Sequence, residues 1–393
     1  MVPVSGADRI ALLDVLRGFA LLGILIANIP HFSQPLSDYA LRPGIISNLG
    51  DRMADFFSLV LVDDKFRSLF SILFGIGVAI QMDRAASRAL NPKSLYARRL
   101  AILMGIGMVH GILIWDGDIL LAYGAGGFAL LLFRNRKTLT ILIWAVLLTL
   151  VPILIFLITA LGLIFMGEHL PDLMLGEDLE MIGAYVNGSY LEGVLYRIKD
   201  LPMILIATLF YLPGVIGMFL IGMLVGRSRV LEEVPGNWQS LRRSFILCAT
   251  IGLIGSLISA CTTTAGSIKQ DMGIYTLGIT FSLIFAPVLC GAYISGAALL
   301  IHRKPQLPIL RYLAASGRMA LTNYLLQSLI GTTLFYGYGL GLAGQMGRLG
   351  TMATALLVFA AQAYLSLLWL KRFRYGPMEW LWRNLTYRSR QPM

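Results

Sequence analysis

Apolar positions along the chain gather into ten nearly unbroken stretches, divided by short polar segments. At 1.5 Å per residue each stretch crosses about 30 Å of hydrocarbon, or nearly so with support from its neighbours. The spacing predicts helices over about 10–31, 66–83, 98–115, 119–133, 138–166, 202–226, 243–263, 274–301, 319–338 and 349–370. An amphipathic piece near 51–62 precedes the second helix. Pro213, with Gly214 and Gly217 close by, predicts a kink in the sixth. The expected fold class is all-α: a polytopic integral membrane helical bundle of about ten transmembrane helices, formed by a single membrane domain over 1–393.

Composition agrees with lipid as the solvent for much of this chain. Hydrophobic residues make up 57%, charged residues only 13%, and mean hydropathy is +0.75. The 32 Lys and Arg outnumber the 21 Asp and Glu. They concentrate in alternate loops, notably around Arg84–Arg99 and Arg134–Lys137, and in the tails. Positive charge beside apolar segments sets membrane orientation and touches anionic lipid heads, so membrane lipids are the expected partners and nucleic acid is not. By that rule both termini are cytoplasmic and the acidic loop region 167–200 is extracytoplasmic. The stretch from Ile10 to Pro30 exceeds a signal-peptide core and contains Asp14 and Arg17, so it reads as a retained first helix. Cys248, Cys261 and Cys290 match no metal spacing and read as packing residues.

Polar groups inside apolar stretches are expensive, which makes them the candidates for chemistry. Asp14 and Arg17 share one face of the first helix, as an internal ion pair, a phosphate or carboxylate holder, or both. Asn28, in the outer half of that helix, is placed to polarise a carbonyl or to bond a neighbouring helix. His110 lies about a turn and a half before Trp115 and the Asp116-Gly117-Asp118 turn. A carboxylate there would orient its ring for proton transfer, or bond it for packing alone. Asn323, Tyr324 and Gln327 on the ninth helix either knit helices together or line a substrate path. Residues 372–393 interleave aromatics with arginines and read as an interfacial segment, with Glu379 suiting the dipole of its own helix. No Walker loop, dinucleotide loop, HExxH or CxxC is present, so no metal site is expected.

Four blocks carry a resemblance that spans essentially the whole chain: LDVLRGFALLGILIANI, VHGILIWDGDILLAYG, GRMALTNYLLQSLIGTTLFYGYGLG and FRYGPMEWLWRNLTY. They resemble the YeiB family, bacterial inner-membrane proteins filed as a domain of unknown function and labelled as possible transport proteins. The Arg17-Gly18 pair is also similar to wider transmembrane acyltransferases, including bacterial sugar O-acyltransferases and the lysosomal heparan glucosaminide N-acetyltransferase. In the O-acyltransferases a functional histidine stands where this chain has Asn28. The N-acetyltransferase is closer, having an asparagine there and a histidine a little later. His31 follows Asn28, but not at that spacing, which leaves His110 as the better base.

The resemblance implies an acyltransferase-like membrane protein with no permanently bound cofactor and an acyl-CoA-type donor. His110 would act as base, Asp116 or Asp118 would orient it, and Asn28 would polarise the carbonyl. Asp14, Arg17, Asn323, Tyr324 and Gln327 would bind a small-molecule or lipid-linked substrate. The alternative is a transporter or exporter of a small metabolite or lipid-like molecule, with His110 and the aspartates as a proton relay. Either reading suits a multi-pass protein of the bacterial inner membrane, and both leave room for a homo-oligomer.

Overall fold

The computed structural model describes residues 11–33, 48–86, 92–167 and 180–393, and every regular element among them is helical. The helices are α1 (Ala11–Ser33), α2 (Leu49–Leu61), α3 (Lys65–Ala86), α4 (Pro92–Leu113), α5 (Leu120–Phe133), α6 (Thr138–Met166) and α7 (Tyr190–Ser228). They continue as α8 (Trp238–Lys269), α9 (Met272–Arg303), α10 (Pro308–Arg318), α11 (Ala320–Phe335), α12 (Arg348–Trp369) and α13 (Pro377–Tyr387). A π-helical turn, Gly183–Asn187, precedes α7.

All ten expected apolar stretches are helical where described, and among the described residues seven helices are long and apolar enough to cross a membrane: α1, α4, α6, α7, α8, α9 and α12. Of the other three, α3 has 22 residues but carries Lys65, Arg67, Asp83 and Arg84, while α5 and α11 have only 14 and 16. The outward faces of α6 and α8 expose Leu147, Leu154, Ile158, Leu247 and Ile254. Faces this apolar need lipid rather than water around them.

Two boundaries differ from expectation. The acidic region 167–200 is not one loop, because α7 begins at Tyr190, about a dozen residues before its predicted start. Ser189 and Glu192 form a capping box there: the Ser189 amide donates to Glu192 Oε2 at 2.6 Å, and the Glu192 amide donates to Ser189 Oγ at 3.4 Å. Residues 168–179 of that region, and Arg88 of the basic loop before α4, lie outside the described residues. Second, the basic segment before Arg318 contains a helix, α10, which starts at Pro308 and buries Leu310 and Ala315.

α1 is the most enclosed helix, wrapped by α3, α10, α11 and α12. Its Leu16, Ala20 and Leu21 are fully buried. Where it meets α10, a β-carbon at Gly18 would collide with the Leu313 carbonyl, and one at Gly317 with the Asp14 carbonyl. Small residues at both points let the two backbones touch. At the same end, α13 packs on α4 and α11. Glu379 does more than serve its own helix. It accepts hydrogen bonds from the Leu321 and Thr322 amides, at 2.7 and 3.1 Å, and from Thr322 Oγ1 at 2.6 Å, so it caps α11. Burial raises its pKa above the ordinary glutamate value, and the bonds from Thr322 and Leu321 oppose that shift.

Candidate functional site

The end of α4 is closed by His110, whose carbonyl accepts from the Ile114 and Trp115 amides at 2.9 and 3.0 Å. The chain then turns through residues 115–119 into α5. This turn brings Asp118 back over the last turns of α4. His110 is 1% exposed, and its Nδ1 stands 2.7 Å from Asp118 Oδ2. The second oxygen of Asp118 accepts from the Leu121 amide at 2.8 Å, capping α5 and fixing the carboxylate. A carboxylate at Nδ1 favours the tautomer with its proton there, leaving the Nε2 lone pair as acceptor. His110 Nε2 is buried and has no hydrogen-bond partner among the described residues.

Gly107 makes this geometry possible. A β-carbon there would press on the Leu121 amide and stand 2.7 Å from Asp118 Oδ1. Gly105 instead faces open space, and Gly111 has only Asp118 Cβ nearby. Tyr324 of α11 completes the surround. Its ring centre lies 5.3 Å from that of His110, and its hydroxyl accepts from the Ile119 amide at 3.2 Å.

Asp116 faces elsewhere. Tyr185, in the π-helical turn, donates to Asp116 Oδ2 at 2.9 Å and stacks on Tyr336 with ring centres 4.7 Å apart. Burial, and then the Asp116 charge, push the Tyr185 phenol well above its ordinary value. Arg197 of α7 is 1% exposed and lies 5.6 Å from the Tyr185 ring centre. It donates from Nε to the Ile112 carbonyl at 2.8 Å and from Nη2 to that of Leu113 at 3.3 Å. A cation on the last carbonyls of α4 satisfies orphan acceptors and complements the helix dipole. Sequence reasoning did not find Arg197 or Tyr185, because it treated their segment as loop.

The remaining candidates are dispersed. Asp14 and Arg17 form an ion pair of 3.2 Å one turn apart, toward the opposite end of the bundle from His110. Asn28 is half-buried and, among the described residues, makes no hydrogen bond to His110. One turn on from it, Phe32 packs on Trp115 with ring centres 4.3 Å apart, so the end of α1 does reach the 115–119 turn. Asn323 donates to Ser316 O and Ser366 Oγ, at 3.2 and 2.9 Å, and Gln327 donates to Gln362 Oε1 at 3.1 Å. Those amides bind α11 to α10 and α12. A cavity of about 50 Å³ between α3, α6, α7 and α9, lined by Arg67, Thr149, Tyr211 and Pro287, is separate from the His110 dyad. Among the described residues no three His, Cys, Asp or Glu side chains converge as a metal site would require.

Comparison with known proteins follows the whole length of the chain. Residues 225–389 match the family model described as "Protein of unknown function (DUF418)". The uncharacterized protein YxaH of Bacillus subtilis is 36% identical, covering 100% of this chain and 97% of its own. The uncharacterized protein YeiB of Escherichia coli is 34% identical over 98% of each chain. An uncharacterized 39.9 kDa protein of Bacillus acidopullulyticus, from the amylase 3′ region, is 28% identical over 100% of this chain and 98% of its own. No solved structure matches the chain significantly. On full-length similarity at this level, the chain belongs to the YeiB family.

Proposed function

We propose that this chain is a multi-pass protein of the bacterial inner membrane that moves an acyl group from a cytoplasmic thioester donor to a membrane or extracytoplasmic acceptor. In this reading both termini are cytoplasmic, and α3, α5 and α11 join the seven long helices to make ten crossings. The two short ones span only about 21–24 Å and rely on neighbouring helices for the rest.

The observation that carries the reading is the buried His110–Asp118 pair, with an imidazole nitrogen that has no hydrogen-bond partner among the described residues. Nε2 accepts the proton of an acceptor hydroxyl or amine as that atom attacks the thioester carbonyl. The new acyl–oxygen or acyl–nitrogen bond forms, the carbon–sulfur bond breaks, and the departing thiolate takes the proton back from the imidazolium. Asp118 holds the ring and stabilises its charged form. General-base help of this kind contributes about 10²–10⁴-fold. Asn28 polarises the carbonyl, Tyr324 bounds the acceptor side, and Asp14 with Arg17 stands at the donor side. Asn323 and Gln327 hold α11 in register for Tyr324.

The test is thiol release from acetyl-coenzyme A by the purified chain in nanodiscs, with glucosamine or bacterial lipid extract as acceptor. His110→Ala should abolish release. Full turnover by that variant, or no release by the wild type above empty nanodiscs, overturns the reading.

A further inference from the structure

At the end of the bundle away from His110, α4 and α13 bring together cations that no carboxylate neutralises among the described residues. The Arg99 guanidinium lies 4.1 Å from the Trp382 ring centre, and Trp382 Nε1 donates back to the Arg99 carbonyl at 2.9 Å. Arg383 stacks between Tyr375 and Tyr387, at 4.3 and 5.7 Å, and its Nε is buried without a hydrogen-bond partner among the described residues. Trp382 and Arg383 are consecutive on α13, so the guanidinium on Trp382 and the one between Tyr375 and Tyr387 come to the same place, and Tyr96 stands one turn before Arg99 on α4. Tyr96 is 7% exposed and its hydroxyl also has no partner among the described residues. Two described acids near this end are engaged elsewhere: Asp14 pairs with Arg17, and Glu379 caps α11.

We infer that Arg99 and Arg383, with the Tyr96 hydroxyl, form a binding site for a phosphate group. Stacking on aromatic faces leaves the in-plane N–H donors of a guanidinium directed outward, in the fork geometry that suits a tetrahedral oxyanion. Like charges held side by side need an anion to offset their repulsion, and a doubly charged phosphate meets two guanidiniums at once. The buried Tyr96 hydroxyl and Arg383 Nε, without partners among the described residues, supply the remaining donors. The site deepens the acyl-transfer reading, on which it rests for its role, because it lies on the side where a phosphate-bearing donor would arrive.

The same chemistry could come from a soluble phosphorylated ligand or from a phospholipid headgroup, and two arms separate them. In the first, the full chain in phosphatidylcholine nanodiscs is titrated calorimetrically with coenzyme A and with pyrophosphate. In the second, native mass spectrometry follows phosphatidylglycerol retained through purification. Arg383→Gln and Arg99→Gln should each weaken one of these associations about tenfold, with a wild-type unfolding midpoint. Arg383→Lys, which keeps the charge but loses the fork, should fall between, and it serves if the glutamine variant does not fold. A loss confined to coenzyme A and pyrophosphate assigns a soluble ligand; a loss confined to phosphatidylglycerol assigns a lipid. Unchanged association in both arms, or none in the wild type, overturns the site. His110→Ala should bind phosphate like the wild type, so a failure of acyl transfer and a failure of this site are separately visible.

Discussion

Tyr185 donates its phenol hydrogen to Asp116 at 2.9 Å, and this bond divides the labour of one short turn. Two residues on, Asp118 orients His110. The carboxylates are therefore not equivalent, although both stand in the same Trp-Asp-Gly-Asp run. Asp118→Asn should cut the acyl-transfer rate by about 10²-fold or more, since it disturbs the tautomer of the base. Asp116→Asn should leave the rate within a few-fold and instead loosen the π-helical turn. Thiol-release rates compare the two variants, and equal losses would contradict the division.

Arg197 is a buried cation whose bonds go to the carbonyl ends of a helix rather than to an acid. Removing it strands the Ile112 carbonyl beside the site, while the Leu113 carbonyl keeps the hydrogen bond that the Tyr190 hydroxyl donates at 2.9 Å. Arg197→Met should lower stability by about 2–3 kcal/mol, the scale for losing hydrogen bonds to a charged group in a buried place. Thermal unfolding in detergent checks this. A midpoint equal to wild type would mean that the α4 terminus does not depend on the arginine.

The glycines of α4 should respond unequally. Gly107→Ala places a methyl group against the Leu121 amide and Asp118, so it should displace the carboxylate and reduce transfer at least tenfold. Gly105→Ala meets nothing within 4 Å and should fold normally with a wild-type unfolding midpoint. Paired rate and unfolding measurements decide it; matched behaviour of the two variants would contradict the packing argument.

How much of this was legible in the amino acids alone follows from distance along the chain. Apolar runs announce helices one at a time, so the ten stretches were visible, and so was the nearness of His110 to a carboxylate eight residues away. Which of Asp116 and Asp118 would reach the ring was not, because that depends on the path of the 115–119 turn. Arg197 was hidden by the acidic character of its surroundings, although the Ser189–Glu192 capping box was a readable signal for a helix start. Arg99 on Trp382, and Glu379 on the start of α11, join segments far apart in sequence. No local pattern encodes them.

Acid should also act through Asp55 of α2, which pairs with Arg348 at the start of α12. Burial pushes its carboxyl up to about 6, against the opposing pull of Arg348, whose Nε lies 3.4 Å away. The folded chain thus holds this proton more tightly than the unfolded chain, where the group titrates at 3.8. The stability it contributes is complete below the unfolded value and is lost as pH rises to about 6. Asp55→Asn should flatten the stability–pH curve across that window, read from unfolding midpoints in detergent. A variant curve parallel to the wild type would place the titration elsewhere.

The central claim is that Asp118 holds His110 with its proton on Nδ1 and its lone pair on Nε2. The most direct measurement is the nitrogen NMR spectrum of His110 in nanodiscs at neutral pH, with the other three histidines replaced. The account predicts a protonated Nδ1, an unprotonated Nε2, and a changed tautomer balance in Asp118→Asn. A proton resting on Nε2, or a spectrum indifferent to Asp118→Asn, would contradict it.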